Sequence, residues 1–132
     1  MTRIEWAPFR LEFPILFGGD IPGSLEVGQG WFYVIWDLCV ALETIARQRL
    51  KEGHPPMRVQ QVKEKLGELR CSVKNCPEEA EALLLSARSK SKFTCEVCGE
   101  DGNTHDVNGC HKTLCPFHQL LAKTIDNHRL WD

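Results

Sequence analysis

Cys95-Glu96-Val97-Cys98 and Cys115-Pro116-Phe117-His118 form two donor pairs with sixteen residues between them. Two cysteines separated by two residues can place both sulfurs on one ion, and Gly99 lets the backbone turn so that its N–H groups face the thiolates. Cys115 and His118 flank a proline, as expected when both ligands lie on the first turn of a helix. Leu120, Leu121, Thr124 and Ile125 continue the apolar face of that helix. A donor set of three cysteines and one histidine is the chemistry of structural Zn2+. With four protein ligands there is no open position for water, which argues for a structural over a catalytic ion. Three thiolates and a neutral imidazole leave a net charge of −1, to be offset by backbone N–H groups or by Lys112. The loop between the pairs also holds His105, Cys110 and His111. Cys110 and His111 are adjacent, so their side chains point apart, and both are expected to be spectators. A knuckle, a glycine-rich loop and a helix that supplies the last two ligands together describe a treble-clef finger over residues 93–125.

The elements that position the finger follow from the rest of the chain. A length of 132 residues, 42% of them hydrophobic and 26% charged, points to one α+β domain with a real core. Seven cysteines is an odd number, and the N-terminus lacks the pattern of a signal peptide, so a reducing cytoplasm is the expected compartment. No apolar run approaches a membrane span, since Asp37 already interrupts Trp31 to Val40. Residues 31–76 hold eight Lys/Arg against five Asp/Glu, whereas residues 93–132 hold three against six. Affinity for nucleic acid comes mostly from neutralising phosphates, so the acidic finger is a poor DNA reader.

Residues 1–30 alternate apolar pieces with turn formers and read as an extended arm or edge strand, with a strand or two between Phe9 and Phe17. From Trp31 the period changes. Trp31, Val34, Ile35, Leu38, Cys39, Leu42, Ile45 and Ala46 mark one buried face of a helix over about 31–51, and Tyr33, Trp36 and Val40 widen it, the mark of a central helix. Gly53 and Pro55-Pro56 end it. A β-hairpin is expected with strands near 57–63 and 68–74 and a turn around Gly67, a helix through Val59 to Leu69 being the rival reading. Pro77-Glu78-Glu79 starts a second helix that turns Ala80, Leu83, Leu84 and Ala87 inward. Ser89 to Lys92 reads as a short exposed connector. The organisation is thus a single domain over 1–132: the arm, a helix-hairpin-helix core over 31–92, and the finger.

Gly30-Trp31 with Asp37-Leu38-Cys39, the run Val59 to Arg70 containing Val62-Lys63-Glu64-Lys65-Leu66-Gly67-Glu68-Leu69-Arg70, and the two ligand pairs resemble a family of small bacterial, prophage and phage proteins. That family is marked by a Val-Lys-Glu-Lys-Phe-Gly-x-Leu-Arg segment and a Cys-x2-Cys/Cys-x2-His finger. The resemblance spans about residues 30–120. Two positions depart from it: Leu66 and Cys110 both stand where the family tends to carry an aromatic residue, and the second supports Cys110 as a non-ligand. The resemblance implies mobile-element ancestry and brings no activity with it.

Three function classes follow. The first is a non-enzymatic interaction protein, such as a phage-encoded inhibitor of a host defence ribonucleoprotein of the CRISPR effector kind. It is motivated by small size, the absence of a catalytic constellation and an aromatic surplus, of which Trp6 and Trp131 are the expected interface residues. The second is a nucleic-acid-binding protein using Arg47, Arg49, Lys51, Arg58, Lys63, Lys65, Arg70 and Lys74, although Glu43, Glu52, Glu64 and Glu68 interleave with them as on a solvated face. The third is a His-Asn-His nuclease built around His105-Asp106-Val107-Asn108. Against it, the loop from Gly99 to Leu114 looks too short for the usual pair of strands, which places His105 in a solvated turn.

Overall fold

The computed structural model describes residues 3–19 and 24–124. Within them the chain is α+β: α1 (Ala7–Glu12), β1 (Ser24–Glu26), a 3-10 turn (Gln29–Trp31), α2 (Phe32–Lys51), β2 (Arg58–Lys65), β3 (Glu68–Lys74), α3 (Glu78–Ser91), β4 (Asn103–Val107), β5 (Cys110–Leu114) and α4 (Pro116–Thr124).

The central helix forms where the period indicates. Ile35, Leu38, Cys39, Leu42 and Ala46 are buried along one face of α2, while Tyr33 stays largely exposed. The helix stops in a Schellman arrangement. Gly53 adopts φ 87°, and His54 and Gly53 donate to the carbonyls of Arg49 and Leu50 at 3.0 and 3.1 Å, which satisfies acceptors the helix end would otherwise orphan.

β2 and β3 form the expected antiparallel hairpin, and β1 joins β2 in parallel, giving the order β1-β2-β3. Val59 and Val62 are an odd number of residues apart and would face opposite sides of an ideal strand. A register irregularity between Val59 and Gln61 inserts one residue, and both valines reach the core. The rival helical reading of this segment therefore fails.

α3 packs through small residues: Ala80, Ala87 and Ser91 are its buried positions. The segment Ser89 to Lys92 is not an exposed connector. It completes α3, and Ser91 Oγ accepts the backbone N–H of Leu69 at 2.9 Å, capping one end of the β3 edge.

The N-terminal segment differs most from expectation. Phe9 to Phe17 forms no strand: Ala7–Glu12 is a helix opened by Pro8, followed by a turn. Phe9, Phe13 and Phe17 recur every fourth residue and are all buried, with Phe13 and Phe9 packed edge-on against Trp36 at ring distances of 4.7 and 5.1 Å. The turn is fixed by Glu43 of α2, a buried carboxylate that accepts the N–H groups of Ile15 and Leu16 at 3.1 and 3.0 Å. Aromatic burial and a side chain 27 residues away override the local turn formers. Trp6 likewise packs edge-on against Phe17, with centroids 5.2 Å apart, and lies half-buried against the core. Trp131 lies outside the described residues.

Candidate metal centre

The knuckle is a small closed turn. Cys95 donates its backbone N–H to Glu100 O at 2.8 Å, Gly99 donates to Cys95 O at 2.9 Å, and Gly102 donates to Phe93 O at 2.9 Å. Gly99 sits at φ 84°, a conformation in which a Cβ would be strained. The second pair opens α4. Cys115 stands in the N-cap position, where its sulfur accepts the backbone N–H of His118 at 3.4 Å, and Pro116 occupies the first helical position, where its missing N–H costs nothing.

These turns bring Cys95, Cys98, Cys115 and His118 together, with one ligand atom of each within 4.8 Å of all the others. Cys98 Sγ lies 3.7 Å from Cys115 Sγ, and His118 Nδ1 lies 3.6 Å from Cys95 Sγ and 3.2 Å from Cys115 Sγ. A tetrahedron with Zn–S near 2.3 Å and Zn–N near 2.0 Å has edges of about 3.5–3.8 Å. A disulfide would need sulfurs at roughly 2.05 Å. The spacing therefore suits a shared ion, with Nδ1 as the imidazole donor.

The electrostatics agree. Burial raises the Cys98 thiol, and with the neighbouring sulfurs of Cys95 and Cys115 pushes it up to about 11. Burial also opposes ionisation of Cys115, but the N–H groups of His118 and Phe117 and the adjacent thiols outweigh it and hold Cys115 below the ordinary value. Thiols this close cannot all ionise at neutral pH without a cation between them. Burial lowers the His118 imidazole, which keeps it in the neutral form a metal requires. The donor set and its spacing are compatible with structural Zn2+.

The other candidates lie elsewhere. Cys110 and His111 are exposed on β5 and outside the cluster. His105 does not occupy a solvated turn. The loop from Gly99 to Leu114 is long enough for a hairpin, and His105 lies on β4 opposite Lys112 of β5. Lys112 forms an ion pair with Glu64 of β2. Three further thiols lie in or against the main core: burial drives Cys39 far above its ordinary value, Cys71 up to about 12, and Cys76 upward, which disfavours the nucleophilic thiolate form.

The seat of the finger is a feature the sequence did not disclose. The backbone N–H of Gly30 donates to Glu96 O at 2.8 Å, that of Gly28 to Glu96 Oε2 at 3.1 Å, and the Trp31 indole to Thr94 O at 2.8 Å. A Cβ at Gly30 would stand 2.1 Å from Cys95 O and 2.5 Å from the carbonyl carbon of Glu96, so only glycine permits the approach. Glu96 is 2% exposed, and its burial raises its pKa despite the Gly28 N–H. A second contact holds the hairpin, where buried Thr113 donates to Gly67 O at 2.6 Å. No signal within the Cys-x2-Cys motif points 68 residues back to Gly28.

The predicted basic residues do not share one face. Arg58 turns inward to the carbonyls of Ile15 and Met57, whereas Lys63 and Arg70 stand opposite each other on the sheet. No helix among the described residues is long and apolar enough to cross a membrane. No family model, curated protein or solved structure matches this chain.

Proposed function

We propose that this protein is a non-enzymatic interaction protein whose treble-clef-like finger is stapled by zinc. The carrying observation is that the four donors converge to within 4.8 Å of one another while the knuckle between them is seated by hydrogen bonds on the turn that precedes α2. A closed ion that locks one part of a chain onto another stabilises a shape; it offers no position to activate water. Exposed Phe93, Phe117 and Leu120, at 61%, 64% and 60% of their full exposure, lie on and beside the finger and supply apolar surface of the kind contacts use. The family resemblance supports a mobile-element origin; the small size and the exposed apolar side chains support a protein partner, such as a host defence complex of the CRISPR effector kind.

The test is co-purification. Zinc-loaded tagged protein, incubated with host lysate and resolved by size exclusion, should elute in a defined complex that chelation dissolves. A free monomer under all conditions, or metal analysis giving no zinc, would sink the reading.

A further inference from the structure

We propose that the outer face of the three-stranded sheet, where it meets α3, is a docking groove for an acidic peptide segment bearing an aliphatic anchor. This rests on the interaction reading above and gives it a surface.

The strand register builds the groove. Val62, Leu69 and Cys71 pack toward the core, so their neighbours Lys63 and Arg70, which stand directly opposite one another, take the other face, as do Gln61 and Ser72. α3 adds Leu84, Leu85 and Arg88 as a wall, and the whole encloses a cavity of about 220 Å³. Leu85 is 63% exposed at this wall.

Charge on this face is unbalanced. Glu68 holds three cations: Oε2 takes Arg88 Nε at 2.6 Å and Arg70 Nη2 at 3.2 Å, and Oε1 takes Lys92 Nζ at 3.2 Å. Lys63 lies next to Arg70, and like charges directly opposite in a ladder are destabilising. Glu26 of β1 neighbours Lys63 on its far side. Lys63, Arg70, Arg88 and Lys92 thus outnumber Glu26 and Glu68 on this face, and Lys65, in register opposite Glu68, adds a further cation. Arg70 Nε is buried with no hydrogen-bond partner among the described residues, so its guanidinium, already steered by a carboxylate, is under-satisfied where it stands. An arriving carboxylate supplies the missing charge at the part of the Arg70 side chain that stays exposed.

The apolar wall chooses between classes of acidic partner. Grooves for single-stranded nucleic acid stack bases on aromatic rings beside cations, and among the described residues no aromatic side chain lines this cavity. Leucines beside arginines suit an aliphatic side chain flanked by Asp or Glu.

The experiment is fluorescence anisotropy on the full zinc-loaded chain with a fluorescein-labelled Glu/Leu peptide, its Glu/Ser counterpart and labelled oligothymidylate. The Glu/Leu peptide should bind saturably and more tightly than the other two probes, and Leu85→Ser and Arg88→Ala should each weaken it about tenfold (~1.4 kcal/mol) with zinc content unchanged. Lys63→Ala serves if Arg88→Ala fails to fold. No peptide binding, binding indifferent to both groove variants, or tighter binding of oligothymidylate overturns the proposal. If the lysate complex forms equally with Leu85→Ser and Arg88→Ala, the interaction reading stands and the groove alone falls.

Discussion

Trp31 donates its indole N–H to the carbonyl of Thr94 at 2.8 Å, tying the 3-10 turn that leads into the long helix to the residue that precedes the first metal ligand. Trp31 is fully buried in the main core, so the finger hangs from a side chain that the core itself immobilises. The metal centre and the core therefore respond to one another.

Chelation should be felt at both ends of that link. Removing zinc is expected to accelerate amide hydrogen exchange at Cys95 to His118 and also at Gly28 and Gly30, whose N–H groups bond to Glu96, by at least about a hundredfold (~2.8 kcal/mol). Mass-spectrometric exchange on intact protein measures it. Unchanged Gly28 and Gly30 amides would show a seat that forms without the metal.

Two glycine substitutions separate close approach from backbone conformation. Gly30→Ala drives a Cβ into the knuckle backbone and should cost at least about 3 kcal/mol in urea unfolding of zinc-loaded protein. Gly109→Ala occupies open space at φ 86° and should cost only about 1 kcal/mol. Equal losses would mean that Gly30 does not carry the knuckle.

The β2–β3 turn carries a removable strain. Leu66 sits at φ 56° and is 58% exposed, so it bears the cost of a left-handed conformation without much burial in return. Leu66→Asn should stabilise the protein by about 0.5–1 kcal/mol, because asparagine tolerates that region. A lower urea midpoint would instead reveal a contact between Leu66 and the nearby Cys110 and His111 at the start of β5.

Acid should act through Glu68. Burial alone would raise its carboxyl, but hydrogen bonds and charge from Arg88 and Lys92 prevail and lower it. A depressed folded-state value adds stability that is fully present above the unfolded carboxyl value of about 4.3 and is lost as pH falls through the folded value. The urea-midpoint difference between wild type and Glu68→Gln should be constant near neutrality and close as pH drops below about 4. A difference that widens in acid contradicts the assignment.

The donor pairs, α2, the β2–β3 hairpin and α3 were legible because local rules specify each: ligand spacing, a 3.6-residue period, and a proline followed by acids. Two elements were misread although signals existed. Phe9, Phe13 and Phe17 carry helical spacing, but Pro8, Pro14 and the glycines after Phe17 made the segment look extended. Asn108-Gly109 is a strong two-residue hairpin turn, with both φ values positive at 52° and 86°, but the short strands it joins carry few apolar residues. The seat on Gly28 and Gly30 was illegible for a different reason, since nothing local demands that a buried Glu96 find its partner amide 68 residues upstream.

That separation has a kinetic consequence. Bringing Gly28 to Glu96 closes a loop of 68 residues, at an entropic cost of about 4 kcal/mol for a flexible chain, and such non-local contacts form late in folding. The knuckle can bend around an ion early, yet its docking site exists only once the helix beginning at Phe32 has formed. Metal capture and final docking should thus appear as two phases in refolding, the second slower and insensitive to zinc concentration.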